Sequence, residues 1–226
     1  MEKIRQICTL LEKTYGRPEC KPRRDPLEEL IFTILSQNTS AANYTKAFNN
    51  LKEKFKSWDD VRKAPVADIE DAIRIGGLSK IKAARIKKIL NEICDIYGEL
   101  SLDFLANMTD EEALNCLMKF EGIGIKTASC VLMFSLCRPV LPVDTHIHRI
   151  SKRLGLIGSD VSAEAAHKIL QGMLKNEDVY SFHVNMVTHG RKVCKAQSPM
   201  CWTCCLLPIC EYGNRRLQWE ESVGTA

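Results

Sequence analysis

Apolar residues recur along the chain at the three- and four-residue spacing of one helix face. Ile4, Ile7, Leu11 and Tyr15 form one such row, Leu27, Leu30, Ile31, Ile34 and Leu35 a second, and Tyr44, Ala47, Phe48 and Leu51 a third. The period-two alternation of a half-buried strand is missing, so the pattern predicts an all-α fold. Helix starts carry matching chemistry. Asp25-Pro26 followed by Glu28 supplies a cap, a first-turn proline and a capping-box glutamate ahead of the second row, and Thr109 with Glu112 repeats the device. Stops fall at Gly76-Gly77, Gly98 and Gly122 and leave short connections, which predicts a compact helical bundle.

A chain of 226 residues can bury roughly 70% of its unfolded surface, enough for a sizeable core. Apolar residues make up 45% and charged residues 27%, which are globular proportions. No window approaches the ~18 uninterrupted apolar residues of a membrane span. Met1-Glu2-Lys3-Ile4-Arg5 alternates charge with apolar residues and lacks the apolar run of a signal peptide, so the expected location is cytoplasmic, in a prokaryote. A net charge of +4 neither demands nor excludes nucleic acid, because a local basic stripe matters more than the total. The helix that follows Gly76-Gly77-Leu78-Ser79-Lys80 carries Lys82, Arg85, Lys87 and Lys88.

Candidate chemistry begins at Phe120-Glu121-Gly122-Ile123-Gly124-Ile125-Lys126. Two glycines separated by one apolar residue allow a tight turn, and the next helix then presents unpaired backbone N–H groups that can grip a phosphate. Ile123 is expected to anchor the turn in the core. Taken alone, the same pattern also suits an ordinary helix end. Lys126 adds chemistry, because a lysine in the first turn sits in an unfavourable helix dipole, should lose some proton affinity, and is a nucleophile when neutral. Asp144, in Leu141-Pro142-Val143-Asp144-Thr145-His146, is its candidate partner; as residues alone it reads equally as the cap of the following helix.

Eleven cysteines without a secretion signal point to metal ligation rather than disulfides, the more so because five fall within residues 194 to 210. Cys8, Cys94, Cys116, Cys130 and Cys137 sit among apolar residues and are expected to act as small buried hydrophobes. Cys194, Cys201, Cys204 and Cys210 are separated by six, two and five residues. A zinc site more usually shows two close pairs, and only Cys201 and Cys204 form one here, which favours a [4Fe–4S] cluster over zinc. Cys205 is taken as a bystander.

These motifs occur in an order that resembles the endonuclease III family of the helix-hairpin-helix glycosylase superfamily, over nearly the whole chain. The glycine hairpin, its lysine, an aspartate eighteen residues further on, His189-Gly190-Arg191 and the cysteine spacing carry the likeness. The resemblance implies a DNA glycosylase with AP lyase activity, acting as a monomer on double-stranded DNA with damaged bases or abasic sites. Oxidised or ring-saturated pyrimidines are the default substrates. It further implies a helical barrel over residues 21–138, with the hairpin near 113–137, and an iron–sulfur lobe from residues 1–20 plus 139–226. Lys126 falls on the catalytic lysine and Asp144 on the essential aspartate. Gln37, Asn38, Gly122, Gly124 and His146 fall at DNA contacts, with Gln37 and Asn38 both able to fill the gap left by an extruded base.

Two departures stand out. Glu121 replaces the usual proline, which should loosen the hairpin and place a negative charge beside the phosphate site. The loop from Cys194 to Cys201 holds Lys195 as its single cation, where relatives often carry several. Two rival readings remain: a single-activity mismatch glycosylase, which the lysine opposes, and a non-catalytic iron–sulfur DNA-binding or redox-sensing protein.

Overall fold

The computed structural model describes the backbone of residues 2–224 and the side chains of residues 2–218. In chain order the helices are α1 (Glu2–Tyr15), α2 (Pro26–Ser36), α3 (Ala41–Lys54), α4 (Trp58–Lys63), α5 (Val66–Ile73) and α6 (Ser79–Tyr97). There follow α7 (Asp110–Met118), α8 (Ile125–Leu136), α9 (Thr145–Arg153), α10 (Ala163–Met173), α11 (Val179–Lys192) and α12 (Glu211–Gly224). No strand occurs among the described residues, in keeping with the helical periodicity, and no helix among them is long and apolar enough to cross a membrane. The chain divides into two compact units, Lys21–Arg138 and Met1–Cys20 with Pro139–Ala226. The outer ends expected for the discontinuous lobe, residues 1 and 226, lie outside the described residues.

Within Lys21–Arg138, Asp25 caps α2 by accepting from the Glu28 backbone N–H at 2.8 Å, and Pro26 opens the helix. The predicted capping box is only half formed, because the Glu28 carboxylate turns to Lys52 instead of reaching back to the cap. Around Thr109 the box is complete, with Glu112 N–H on the threonine hydroxyl at 3.3 Å and Thr109 N–H on the Glu112 carboxylate at 2.9 Å. Leu27, Leu30, Ile31, Ile34 and Leu35 are all buried, and α2 packs on α3 and α8.

Lys82, Arg85, Lys87 and Lys88 of α6 do not share a solvated face. Lys82 is 2% exposed and donates to Leu35 O at 2.8 Å and Gly76 O at 3.0 Å; burial lowers its proton affinity. Leu35 O is one of the last carbonyls of α2, which the helix cannot satisfy itself. Its neighbours are met locally, Thr33 O by the Ser36 hydroxyl at 2.7 Å and Ile34 O by the Gln37 N–H at 3.2 Å. A buried ammonium at the negative end of α2 thereby completes that helix and ties it to the turn that starts α6.

In the discontinuous unit, α1 lies on α11. The Ser181 hydroxyl donates to Glu12 at 2.8 Å, and Arg17 bonds both Glu12 at 2.9 Å and Asp178 at 2.8 Å. Asn185 donates to Gly16 O at 2.9 Å just past the end of α1, where Gly16 takes a φ of 84° that favours glycine. Cys8, Cys116 and Cys130 are buried as expected and Cys94 is half-buried. Cys137 departs from that expectation, since it is disulfide-bonded.

Lys82→Met keeps the apolar stem and removes the donor. Leaving buried carbonyls without a partner should cost about 2–4 kcal/mol, read as a lower urea midpoint at unchanged slope. An unchanged midpoint would show that neighbouring groups take over both carbonyls.

Candidate functional site

The hairpin between α7 and α8 is held by its apolar residues. Phe120 and Ile123 are buried, the latter as the sequence predicts, and Gly122 takes a φ of 78° that a side chain would strain. Gly124 stands at the N-cap of α8 with no side-chain cap, unlike Asp25, Ser40 and Thr109 ahead of α2, α3 and α7. A Cβ built on Gly124 would meet nothing within 4 Å. The first N–H groups of α8 are therefore left without a capping side chain, which suits an anionic oxygen. Lys126, half-buried, follows in the first turn.

Two side chains of α6 brace this turn. Lys88 pairs with Glu121 and holds its carboxyl below the usual glutamate range. The charge expected to trouble an anion site thus already has a cation beside it. Arg85 lies against Gly122, where an added Cβ would fall 2.3 Å from Nε, and donates to Gln37 Oε1 at 2.9 Å. The Gln37 amide in turn donates to the hydroxyl of Thr127, next to Lys126, at 3.4 Å. Gln37 is therefore engaged at both ends of its amide. Asn38 differs: its side chain is exposed and its φ is 53°.

Sequence reasoning missed Glu29. It is 4% exposed, accepts from Arg24 at 3.0 Å and from the Thr33 hydroxyl at 3.4 Å. Burial pushes its carboxyl up, opposed first by Arg24 and more weakly by the charge of Lys126. A buried carboxylate thus lies within electrostatic reach of the candidate nucleophile. The signal was present as Glu29, Thr33 and Gln37, polar residues at i, i+4 and i+8 along α2 and its C-cap.

In the discontinuous unit, Asp144 caps α9 by accepting from Ile147 N–H at 2.8 Å. His146 is half-buried, packed where a Cβ on Gly190 would come within 2.7 Å of it, and bonded by Arg149 at 3.1 Å; burial lowers its proton affinity. The ring sits on the His189-Gly190-Arg191 segment, which explains the glycine there.

Cys194, Cys201, Cys204 and Cys210 line one open cavity with apolar neighbours that include Met200 and Leu207, and Cys205 is not part of it. Among the described residues no three His, Cys, Asp or Glu side chains converge as they would on a single metal ion. The four cysteines share the lining of that cavity. N–H donors are aimed at them: Arg153 at Cys194 (3.2 Å) and Gly213 at Cys210 (3.3 Å), with His189 Nε2 3.4 Å from Cys204. As bare thiols Cys201, Cys204 and Cys210 resist ionisation, burial pushing Cys204 up to about 12. Arg149 and Arg153 also grip the loop backbone, at Cys194 O (2.7 Å) and Lys195 O (2.7 Å).

Residues 31–176 match the family described as HhH-GPD superfamily base excision DNA repair protein. Endonuclease III of Thermotoga maritima is 37% identical over 207 residues, covering 90% of this chain and 91% of that one. An Arabidopsis thaliana protein described as a candidate DNA glycosylase is 38% identical over 187 residues, covering 83% of this chain and 62% of its own length. Among solved structures, a non-covalent endonuclease III–DNA complex superposes with a TM-score of 0.84 at 33% identity, over 96% of this chain and 98% of that one.

The two hairpin glycines should respond differently to alanine. Gly122→Ala meets both a positive φ and the Arg85 guanidinium, and should cost roughly 1–3 kcal/mol, each kcal/mol lowering Tm by roughly 2–4 °C. Gly124→Ala should leave Tm within about 1–2 °C of wild type. Equal effects would mean that the hairpin adopts another turn.

Proposed function

The chain belongs to the HhH-GPD superfamily of base excision DNA repair proteins, and we propose that it binds duplex DNA at a damaged base or an abasic site, releases the base and nicks the strand. The observation that carries the lyase half is Lys126, placed in the first turn of α8 directly behind the open glycine hairpin. The hairpin N–H groups hold a backbone phosphate without reading sequence, and the target nucleotide leaves the stack, most easily where pairing is already poor. Oxidised or ring-saturated pyrimidines are the proposed substrates, on the strength of the likeness to endonuclease III. The proposed location is the cytoplasm of a prokaryote, at the nucleoid, in keeping with work on DNA.

In this reading the neutral Lys126 amine attacks C1′ of the deoxyribose, and the C1′–N bond breaks with its electron pair leaving on the base. Ring opening gives an iminium, loss of a C2′ proton follows, and the 3′ phosphate departs in a β-elimination. Asp144 either takes the lysine proton or supports the positive charge on the sugar. One of its oxygens is committed to the cap of α9, which fixes the side chain and leaves the second for that work. Asn38 is the residue that fills the gap in the duplex, because its side chain is exposed on a left-handed turn while the Gln37 amide is engaged by Arg85 and Thr127.

The cysteine cavity, lined by four thiols at six-two-five spacing, suits a [4Fe–4S] cluster better than zinc, which more usually takes two close pairs. Cys194, Cys201, Cys204 and Cys210 are the proposed ligands. A cluster bound there supplies iron–thiolate bonds that cross-link the loop, and Arg153, Gly213 and His189 offer N–H groups to the thiolate charge. Cys204→Ser should lower bound iron and acid-labile sulfide together. Full retention of both would remove Cys204 from the ligand set.

Borohydride should trap an adduct between the protein and duplexes carrying thymine glycol or an abasic site, and Lys126→Gln should abolish it. Base release from thymine glycol with no adduct in the wild type would instead mark a single-activity glycosylase.

A further inference from the structure

Asp144 is delivered by a strap that belongs to no helix or strand, residues 137–144. Its backbone is instead hydrogen-bonded by side chains of α10 and α11. Gln171 takes two groups, donating to Pro139 O at 2.9 Å and accepting from Leu141 N–H at 2.7 Å. His183 Nδ1 donates to Pro142 O at 2.9 Å, and His167 Nε2 accepts from Val143 N–H at 3.0 Å. The side chains of Val140, Leu141 and Val143 are buried beneath these bonds.

The bond to Val143 is the last before the carboxylate, and it dictates the state of the imidazole. His167 Nδ1 lies 2.8 Å from Ala163 O, one turn back in α10. A carbonyl can only accept, so Nδ1 carries the hydrogen and Nε2 keeps the lone pair that receives Val143 N–H. The ring is neutral and in one tautomer. An apolar side chain could fill the same volume without the desolvation that a buried imidazole incurs, and what the imidazole adds is a directional hold on the strap.

We propose that His167, supported by Gln171 and His183, is a positioning residue for base excision: it sets where the Asp144 carboxylate stands. The proposal rests on the reading of Asp144 given above. From the far side the carboxylate is fixed by the α9 cap, at Ile147 N–H, so strap and cap together define its place. Displacement of a reacting group by about 1 Å can cost on the order of a hundredfold in rate, which makes such a hold consequential.

The test measures single-turnover base release from a thymine glycol duplex, DNA affinity and Tm for His167→Leu, His167→Gln, Gln171→Met, Asp144→Asn and the His167→Leu/Asp144→Asn double variant. His167→Leu should slow base release by roughly ten- to a hundredfold at unchanged DNA affinity, and His167→Gln, which restores an acceptor oxygen, should recover most of the rate. The double variant should be no slower than Asp144→Asn alone, because both changes act through one carboxylate. Wild-type speed in His167→Leu, or a loss that adds in full to that of Asp144→Asn, overturns the clamp. Should His167→Leu fail to fold, Gln171→Met decides: a loss of about fivefold supports the clamp and wild-type speed overturns it. Wild-type speed in Asp144→Asn would bring down the Asp144 reading and the clamp with it, an outcome distinct from a slow Asp144→Asn beside a fast His167→Leu.

Discussion

Lys82 stands where the Lys21–Arg138 unit can least afford an error, its ammonium enclosed by protein and shared between Leu35 O and Gly76 O. Those carbonyls end one helix and precede the turn into another, so one charge fixes both the exit of α2 and the entry of α6. The chain leaving α2 carries Gln37 and Asn38. The helix begun at Ser79 carries Arg85 and Lys88, which reach Gln37, Gly122 and Glu121. The hairpin ahead of Lys126 is therefore braced by side chains whose register descends from that buried ion.

The other unit is organised around α9. Asp144 caps its first turn, while Arg149 and Arg153, at its middle and end, hold the backbone from Cys194 to Ala196. The cysteine loop and the candidate carboxylate thus hang from opposite ends of one nine-residue helix. Arg153 also lies over the ring of Tyr212, 4.6 Å from its centroid, which adds the start of α12 to the same anchorage.

Features written in local sequence were legible. Helical periodicity gave the apolar faces of α1 to α3, Asp25 and Thr109 gave helix starts, and Gly122-Ile123-Gly124 gave a turn whose isoleucine is buried. What escaped depends on partners far along the chain. Glu28 reads as a capping glutamate until Lys52 competes for it, and Glu121 reads as a liability until Lys88 meets it, 33 residues away. Lys82 sits in a run of cations that looks like a solvated face, and no local pattern marks the one that turns inward. The hold of His167 on Val143 links a side chain to a backbone group 24 residues off, a match that residue types do not encode because any backbone N–H presents the same donor.

The uncapped start of α8 has a consequence for how the protein behaves between encounters. The beginnings of α2, α3, α4, α7, α9 and α10 are closed off by their own side chains, whereas this one, like those of α5, α6 and α11, is left uncapped at Gly124. An anion arriving there finishes a helix as well as occupying a site, so the ligand is part of the secondary structure it binds to. Idle protein should fray at this turn, and occupancy by any phosphate backbone, damaged or not, should quiet it.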